Sequence, residues 1–347
     1  MKPIPPRSVS IWILSLYALV GLMILVGGIT RLTGSGLSIT EWRPIMGALP
    51  PLNEAEWWQA FELYRATPQF QSVNHWMSLS DFQGIFFWEY FHRLLGRFLG
   101  VAFFLPWLFF ILKGRLVGSW ARRTLVAFVL GGLQGALGWF MVASGLVDVP
   151  RVSHFRLAAH LGLAFLVGQY LLWLYLDLRR ERREHQDAGV PLTGVSRRLL
   201  HGFLALQAVQ TIYGAFMAGS RAGHLFNTFP DMNGAYFIVG DYLNDPVAIH
   251  FVHRSVGWAV GVMGLYVAWR LRESTLGRLV GGLVLLQFGL GVATVLTSVA
   301  LPVAAAHQLG AWALLSATVV CLHRLPRPGP VSPGPLSPDP SVPSVPS

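Results

Sequence analysis

"EYFHRLLGRFLG", residues 89–100, and "HFVHRSVGWAVG", residues 250–261, decide how this chain folds. Each sets a His-Arg pair, His92-Arg93 and His253-Arg254, into a long apolar run, with a glycine three residues after the arginine. Ionisable side chains inside an apolar span are costly and need a partner or a task. Outward from these two stretches the correspondence continues. "LGGLQGALG" (130–138) matches "VLLQFGLG" (284–291) on Gln134 and Gln287. "RLAAHLGLAFL" (156–166) matches "VAAAHQLGAWAL" (303–314) on His160 and His307. "GGITRLTGSGLS" (27–38) has a looser echo in "GAFMAGSRAGHLF" (214–226). One unit of four spans is used twice.

The composition fits a membrane protein. The chain has 347 residues, of which 53% are hydrophobic and 12% charged, against about 25% charged in soluble domains. Apolar runs recur at 11–29, 84–112, 120–143, 155–178, 199–219, 248–270, 276–298 and 303–323, near the roughly 20 residues a bilayer core demands. The expected fold class is therefore all-α integral membrane, with eight transmembrane helices arranged as two pseudo-symmetric four-helix bundles. Each unit has an even number of spans, so both sit the same way up, related by an axis along the membrane normal. The expected division is 11–178 and 199–323 for the bundles, 179–198 for a basic cytoplasmic linker, and 324–347 for a Pro/Ser-rich disordered tail.

The net charge of +10 reads as topology. Lys113, Arg115, Arg122, Arg123, the Arg179–Arg183 cluster, Arg197, Arg198, Arg270, Arg272 and Arg278 fall in alternate connections. That is the positive-inside pattern with both termini cytoplasmic, and it argues against a nucleic-acid partner. About ten residues precede the first span, which favours a bacterial plasma (inner) membrane. A lone Cys321 excludes an intramolecular disulfide and a cysteine metal cluster. Within the connection 30–83, "NEAEWWQAFELYRATP" (53–68) carries a capping-box start and Trp57, Phe61 and Tyr64 at helical spacing. An amphipathic helix lying on the outer membrane interface is expected there.

His92, His160, His253 and His307 open the even-numbered spans, all at one depth towards the outer side. Two per half, on different helices, is the arrangement that holds a haem iron between two imidazoles. Zinc wants about four ligands converging on one point and suits two separate pairs less well. Arg93, Arg97 and Arg254 stand near the histidines, where propionates need cations. Gln134 and Gln287 read as interhelical contacts.

The repeat breaks three residues before the histidine. The first half has Glu89 and the second His250. A spacing of three puts Glu89 on the face of His92, where a carboxylate can act as general base or steady a developing positive charge. The first half would then do chemistry on its haem, and the second would hold one for electron transfer.

Together, "GGITRLTGSGLSITEWRPIMGALPPL" (27–52), "EYFHRLLGR", "HFVHRSVGW" and "AAAHQLGAWAL" resemble the haem A synthase family, over residues 11–323. The resemblance implies an oxidoreductase that converts the C8 methyl of haem O to a formyl group, giving haem A for cytochrome oxidase. Two hydroxylations and loss of water from the geminal diol would accomplish it. It implies His253 and His307 as ligands of a resident haem b, with Arg254 beside it. It implies His92 and His160, with Arg93, around the substrate haem O, and Glu89 as the essential carboxylate. Implied partners are membrane lipid, the haem O synthase (a farnesyltransferase), an electron acceptor and a second copy of the chain. Some members carry a cysteine pair in the first outer connection; this chain does not. The rivals are a quinol-linked dihaem electron-transfer cytochrome and a haem-handling transporter or chaperone.

Overall fold

The computed structural model describes residues 4–41, 46–143, 145, 150–183 and 192–326. Regular structure among them is helical, save one isolated bridge between Met232 and Ala235. The long helices are α1 (Arg7–Leu32), α3 (Leu79–Leu112), α4 (Gly118–Ala143), α5 (His154–Arg183), α6 (Arg197–Ser220), α7 (Pro246–Arg270), α8 (Thr275–Leu296) and α9 (Leu301–Arg324), with a shorter α2 (Glu54–Arg65) outside them. The chain is thus an all-α integral membrane protein. Seven helices are long and apolar enough to cross a bilayer: α1, α3, α4, α5, α6, α8 and α9. The remaining one, α7, has 25 residues and carries His250, His253 and Arg254 in its N-terminal half. The polar groups that define the site are also what lowers its hydropathy.

Helix ends follow local chemistry. Asn53 accepts the Glu56 N–H at 3.0 Å to start α2. The Glu56 carboxylate returns to the N–H of Leu52 rather than of Asn53. The full reciprocal box is at α3, between Ser78 and Asp81. Ser196, Asp245 and Ser274 cap α6, α7 and α8.

α1, α5, α6 and α9 form the centre. The most apolar stretches of α1 and α9 are 50% buried, those of α4 and α8 only 6% and 11%, so the latter present their faces to lipid. One apolar cluster joins α1, α3, α4 and α5, with Trp312 and Leu315 of α9. A second joins α6, α7, α8 and α9. Gln308 of α9 donates to the Ile24 carbonyl of α1 at 2.8 Å. A polar group nearer the C-terminal ends of α5 and α9 does the same work. Asp177 of α5 pairs with Arg123 of α4 and with His323 Nε2 of α9 at 2.9 Å, and Arg180 reaches His323 Nδ1 at 3.0 Å. A guanidinium only donates, so Nδ1 accepts and the Nε2–H goes to Asp177.

α3 has 34 residues, about 51 Å at 1.5 Å per residue, more than a bilayer core of roughly 30 Å. Its first turns stand outside and meet α2. Phe61, Tyr64, Phe70, Phe82, Ile85 and Phe86 form a buried cluster there, with Trp57 against it. The apolar face expected on a membrane interface is therefore covered by α3. The basic linker retains α5 as far as Arg183, while residues 184–191 and the proposed tail from 327 onward lie outside the described residues.

Candidate functional site

Each of the four histidines brings its Cε1 up to a glycine of the preceding long helix. A Cβ added at Gly27 of α1 would stand 2.9 Å from His92 Cε1, and one at Gly138 of α4 2.9 Å from His160 Cε1. At Gly214 of α6 it would stand 3.4 Å from His253, and at Gly291 of α8 3.1 Å from His307. At Gly27, Gly138 and Gly291 a side chain would have to displace the ring, whereas at Gly214 it would meet an ordinary contact. The glycines that follow the histidines in sequence do other work. Gly96 and Gly257 receive Met23 and Gln210, and Gly310 receives Gln287.

The rings come in pairs. His253 and His307 face each other with centroids 6.4 Å apart and planes at 84°. Imidazole nitrogens bind metals at about 2.0–2.1 Å and a ring centre lies roughly 1 Å further back, so two rings on opposite sides of one metal have centres about 6 Å apart. His160 is likewise within electrostatic reach of His92. Among the described residues no three His, Cys, Asp or Glu side chains converge as a metal cluster, so the histidines stand as two pairs.

Glutamines sit beside three of the rings. Gln134 Nε2 is 3.1 Å from His160 Nδ1, Gln287 Nε2 is 3.2 Å from His307 Nδ1, and Gln210 Nε2 is 3.4 Å from His253 Nε2. Gln134 and Gln287 do bridge helices, and what they reach is the candidate ligand.

A cavity of about 660 Å³ holds His253 and His307, within the size range of small-molecule sites, roughly 300–1,000 Å³. Gly214 and Gly291 line it beside the rings, Trp258 and Phe288 add apolar wall, and Arg31, Arg221 and Arg254 bring positive charge to it. Arg31 donates to the carbonyls of Ala218 and Gly219 at 2.5 and 3.1 Å, so a residue of α1 closes the end of α6. Arg254 donates from Nε to His250 Nε2 at 2.9 Å, and from Nη1 to the carbonyls of Thr228 and Asp231 at 2.9 and 2.7 Å. Its Nη2 and the Nε of Arg31 are buried and bond to nothing among the described residues. Opposed imidazoles, close ring approach over glycine and two unsatisfied cationic donors fit a porphyrin with its two carboxylates.

In the first half, Glu89 is 3% exposed. Its Oε2 accepts from the Ser38 N–H and O–H, both at 2.7 Å, and from the Ile39 N–H at 2.9 Å. Its Oε1 takes Arg93 Nη2 at 2.6 Å. Arg93 also donates to the Ile39 carbonyl at 2.9 Å. Four donors converge on two oxygens, which suits an acceptor-only carboxylate. The Glu89–Arg93 pair and the His250–Arg254 pair occupy matching positions, and each arginine ties its helix to the loop after the first helix of its half. Sequence reasoning found Glu89, Arg93, Arg254 and the four histidines. It missed Ser38, Arg31, Arg221 and Gln210, which only the packing of distant segments brings to the site. It also missed His323 and Asp177, far from the paired rings.

Fold and site together define a multi-pass, all-α membrane protein in which paired histidines face one another between helices. The family described as cytochrome oxidase assembly protein, COX15-CtaA, matches residues 10–319. A "Heme A synthase" of Parvibaculum lavamentivorans is 43% identical over 338 residues, covering 92% of this chain and 94% of the relative. One of Rhodospirillum centenum is 44% identical over 339 residues (93% and 90%), and one of Nitrosospira multiformis 41% over 340 residues (92% and 94%). The chain belongs to the haem A synthase family.

Proposed function

We propose that this protein is a haem A synthase, an oxidoreductase that converts the C8 methyl of haem O to the formyl group of haem A. The observation that carries this reading is Glu89: one buried carboxylate, one helical turn from His92, present in one half of a duplicated site. Methyl to formyl is a four-electron oxidation that takes up one oxygen atom and releases protons. The two halves divide the labour. His92 and His160 position the substrate haem, and Glu89 stands ready to take a proton or to steady positive charge beside the ring. Arg93 and the Ser38–Ile39 turn hold that carboxylate in one orientation. His253 and His307 hold a haem b, with Arg254, Arg31 and Arg221 for its carboxylates. A haem b there supplies one-electron redox chemistry. The isoprenoid tail of haem O leaves the first bundle between α3 and α4.

The same reading makes α7 the eighth span and places the chain in a bacterial inner membrane with both termini cytoplasmic. A farnesyltransferase then supplies haem O, an electron acceptor takes the electrons, and the chain can pair with a second copy. None of the relatives' names supports the dihaem electron-transfer alternative.

A pigment inventory tests the proposal. Extracts of the purified protein, read by mass spectrometry, should contain haem b together with haem O, its hydroxylated form or haem A. Glu89→Gln should keep haem bound and lower haem A output about 100-fold or more, the range for loss of a general acid or base. Wild-type output from that variant overturns the role of Glu89; unmodified haem alone, in cells that make haem O, overturns the synthase.

A further inference from the structure

Three of the four imidazoles meet a glutamine amide and the fourth does not. Gln134, Gln287 and Gln210 each lie four residues before the glycine that carries a histidine ring, Gly138, Gly291 and Gly214. Each sends its amide to a nitrogen of that ring. Four residues before Gly27, which carries His92, the chain has Met23. The structure confirms that the positions match. Gln210 Nε2 lies 3.3 Å from where a Cβ on Gly257 would be, and Met23 Cε lies 3.6 Å from the same point on Gly96. Gly257 and Gly96 each follow their histidine by four residues.

The two side chains are similar in length and differ in chemistry. An amide has a donor end and an acceptor end and can pair with either tautomer of an imidazole. A thioether has no donor and is a weak acceptor. His92 Nδ1 is buried and has no hydrogen-bond partner among the described residues; His253 Nδ1 is likewise without one, and its amide contact falls on Nε2 instead. A metal-binding histidine gains basicity and a fixed orientation from the partner of its other nitrogen.

We infer that Met23 makes His92 the weak member of the four, so that the first half exchanges its porphyrin while Gln210 helps the second half keep its own. This rests on the haem reading above. It supplies what that reading needs: a substrate has to arrive and a product has to leave, whereas a resident cofactor should stay. Loss of such a partner costs roughly 10–100-fold in metal affinity.

The test uses the purified full-length protein, haem b as the probe and a haem scavenger in excess, with loss followed by absorbance. His253→Ala leaves only the first site and His92→Ala only the second. On the first background, Met23→Gln should slow haem loss about tenfold or more, and Met23→Leu should leave it unchanged. On the second, Gln210→Met should speed haem loss by about 10–100-fold. If Met23→Gln does not fold, Gln210→Met decides alone, because it breaks the same contact in the other half. Haem loss within about twofold of the parent in both variants overturns the inference. Failure of the two alanine backgrounds to empty one site each overturns the ligand assignments instead.

Discussion

In the second half, α7 and α8 are closed on each other. Val284 packs into the space over Gly264, and Phe288 lies over Gly261 with its ring 4.7 Å from that of Trp258. In the first half the positions matching Val284 and Phe288 are Gly131 and Gly135. There α3 and α4 meet near their short connection, where Phe103, Phe104 and Trp107 surround Phe128, and touch little elsewhere. A Cβ at Gly131, Gly132 or Gly135 would meet nothing within 4 Å. Two side chains, present in one copy and absent in the other, separate a walled bundle from one with an open flank. The duplicated frame fixes where the histidines stand; on the proposed reading, the departures from it set what each half can hold and release.

Beyond Glu89, the largest effects should come from the glycines under the rings, because there the two copies differ in tightness. Alanine at Gly27 or Gly138 puts a Cβ 2.9 Å from an imidazole carbon, so the ring has to move. At Gly291 the distance is 3.1 Å, and at Gly214 it is 3.4 Å, an ordinary contact. Gly27→Ala and Gly138→Ala should weaken porphyrin binding in the first half about tenfold or more, Gly291→Ala should do less to the second, and Gly214→Ala should be close to wild type. Haem b titrations of purified variants check the order. Equal losses at all four would show that the glycines serve helix packing and not ring approach.

A smaller effect is expected at Ser38. Its hydroxyl is one of three donors on Glu89 Oε2, and the two backbone N–H groups stay when it is removed. One hydrogen bond to a charged group contributes about 1.5–3 kcal/mol; with two backbone donors left in place the loss falls at or below the low end, so Ser38→Ala should lower haem A formation by roughly five- to tenfold. The second half has no matching carboxylate, and its haem should be untouched. Haem A output falling together with second-half haem content would mean that Ser38 supports the fold rather than Glu89.

What the sequence made legible was whatever repeats or is costly. Apolar length gave eight helices, and four histidines at matching depths stood out because such groups rarely occur in a span without a task. α7 was read as a span from the apolar run at 248–270, although its hydropathy, lowered by His250, His253 and Arg254, leaves it out of the seven helices apolar enough to cross. What stayed hidden depends on which segments touch. Nothing in the neighbourhood of Glu89 announces Ser38, which is 51 positions away. The glycines under the rings belong to neighbouring helices, so the glycines following each histidine drew attention instead. The face of Trp57, Phe61 and Tyr64 has the same periodicity whether lipid or α3 covers it, and only the packing decides.

The smallest effect should follow from closing the open flank. Gly135→Phe moves the side chain of Phe288 into the first half, where a Cβ at Gly135 meets nothing within 4 Å. The substituted ring stands between α3 and α4, on the route assigned to the isoprenoid tail, and away from Glu89 and the Ser38 turn. Conversion of haem O should therefore fall by a few-fold, roughly what one displaced apolar contact of 1–3 kcal/mol produces at its lower end. Binding of haem b, which has no such tail, to the first half of the His253→Ala background should be unchanged. The opposite exchange, Phe288→Gly, removes the wall of the resident cavity and should speed haem loss there. Equal inhibition of tailed and tailless porphyrins by Gly135→Phe would place the tail elsewhere and leave the difference between the two flanks a matter of packing alone.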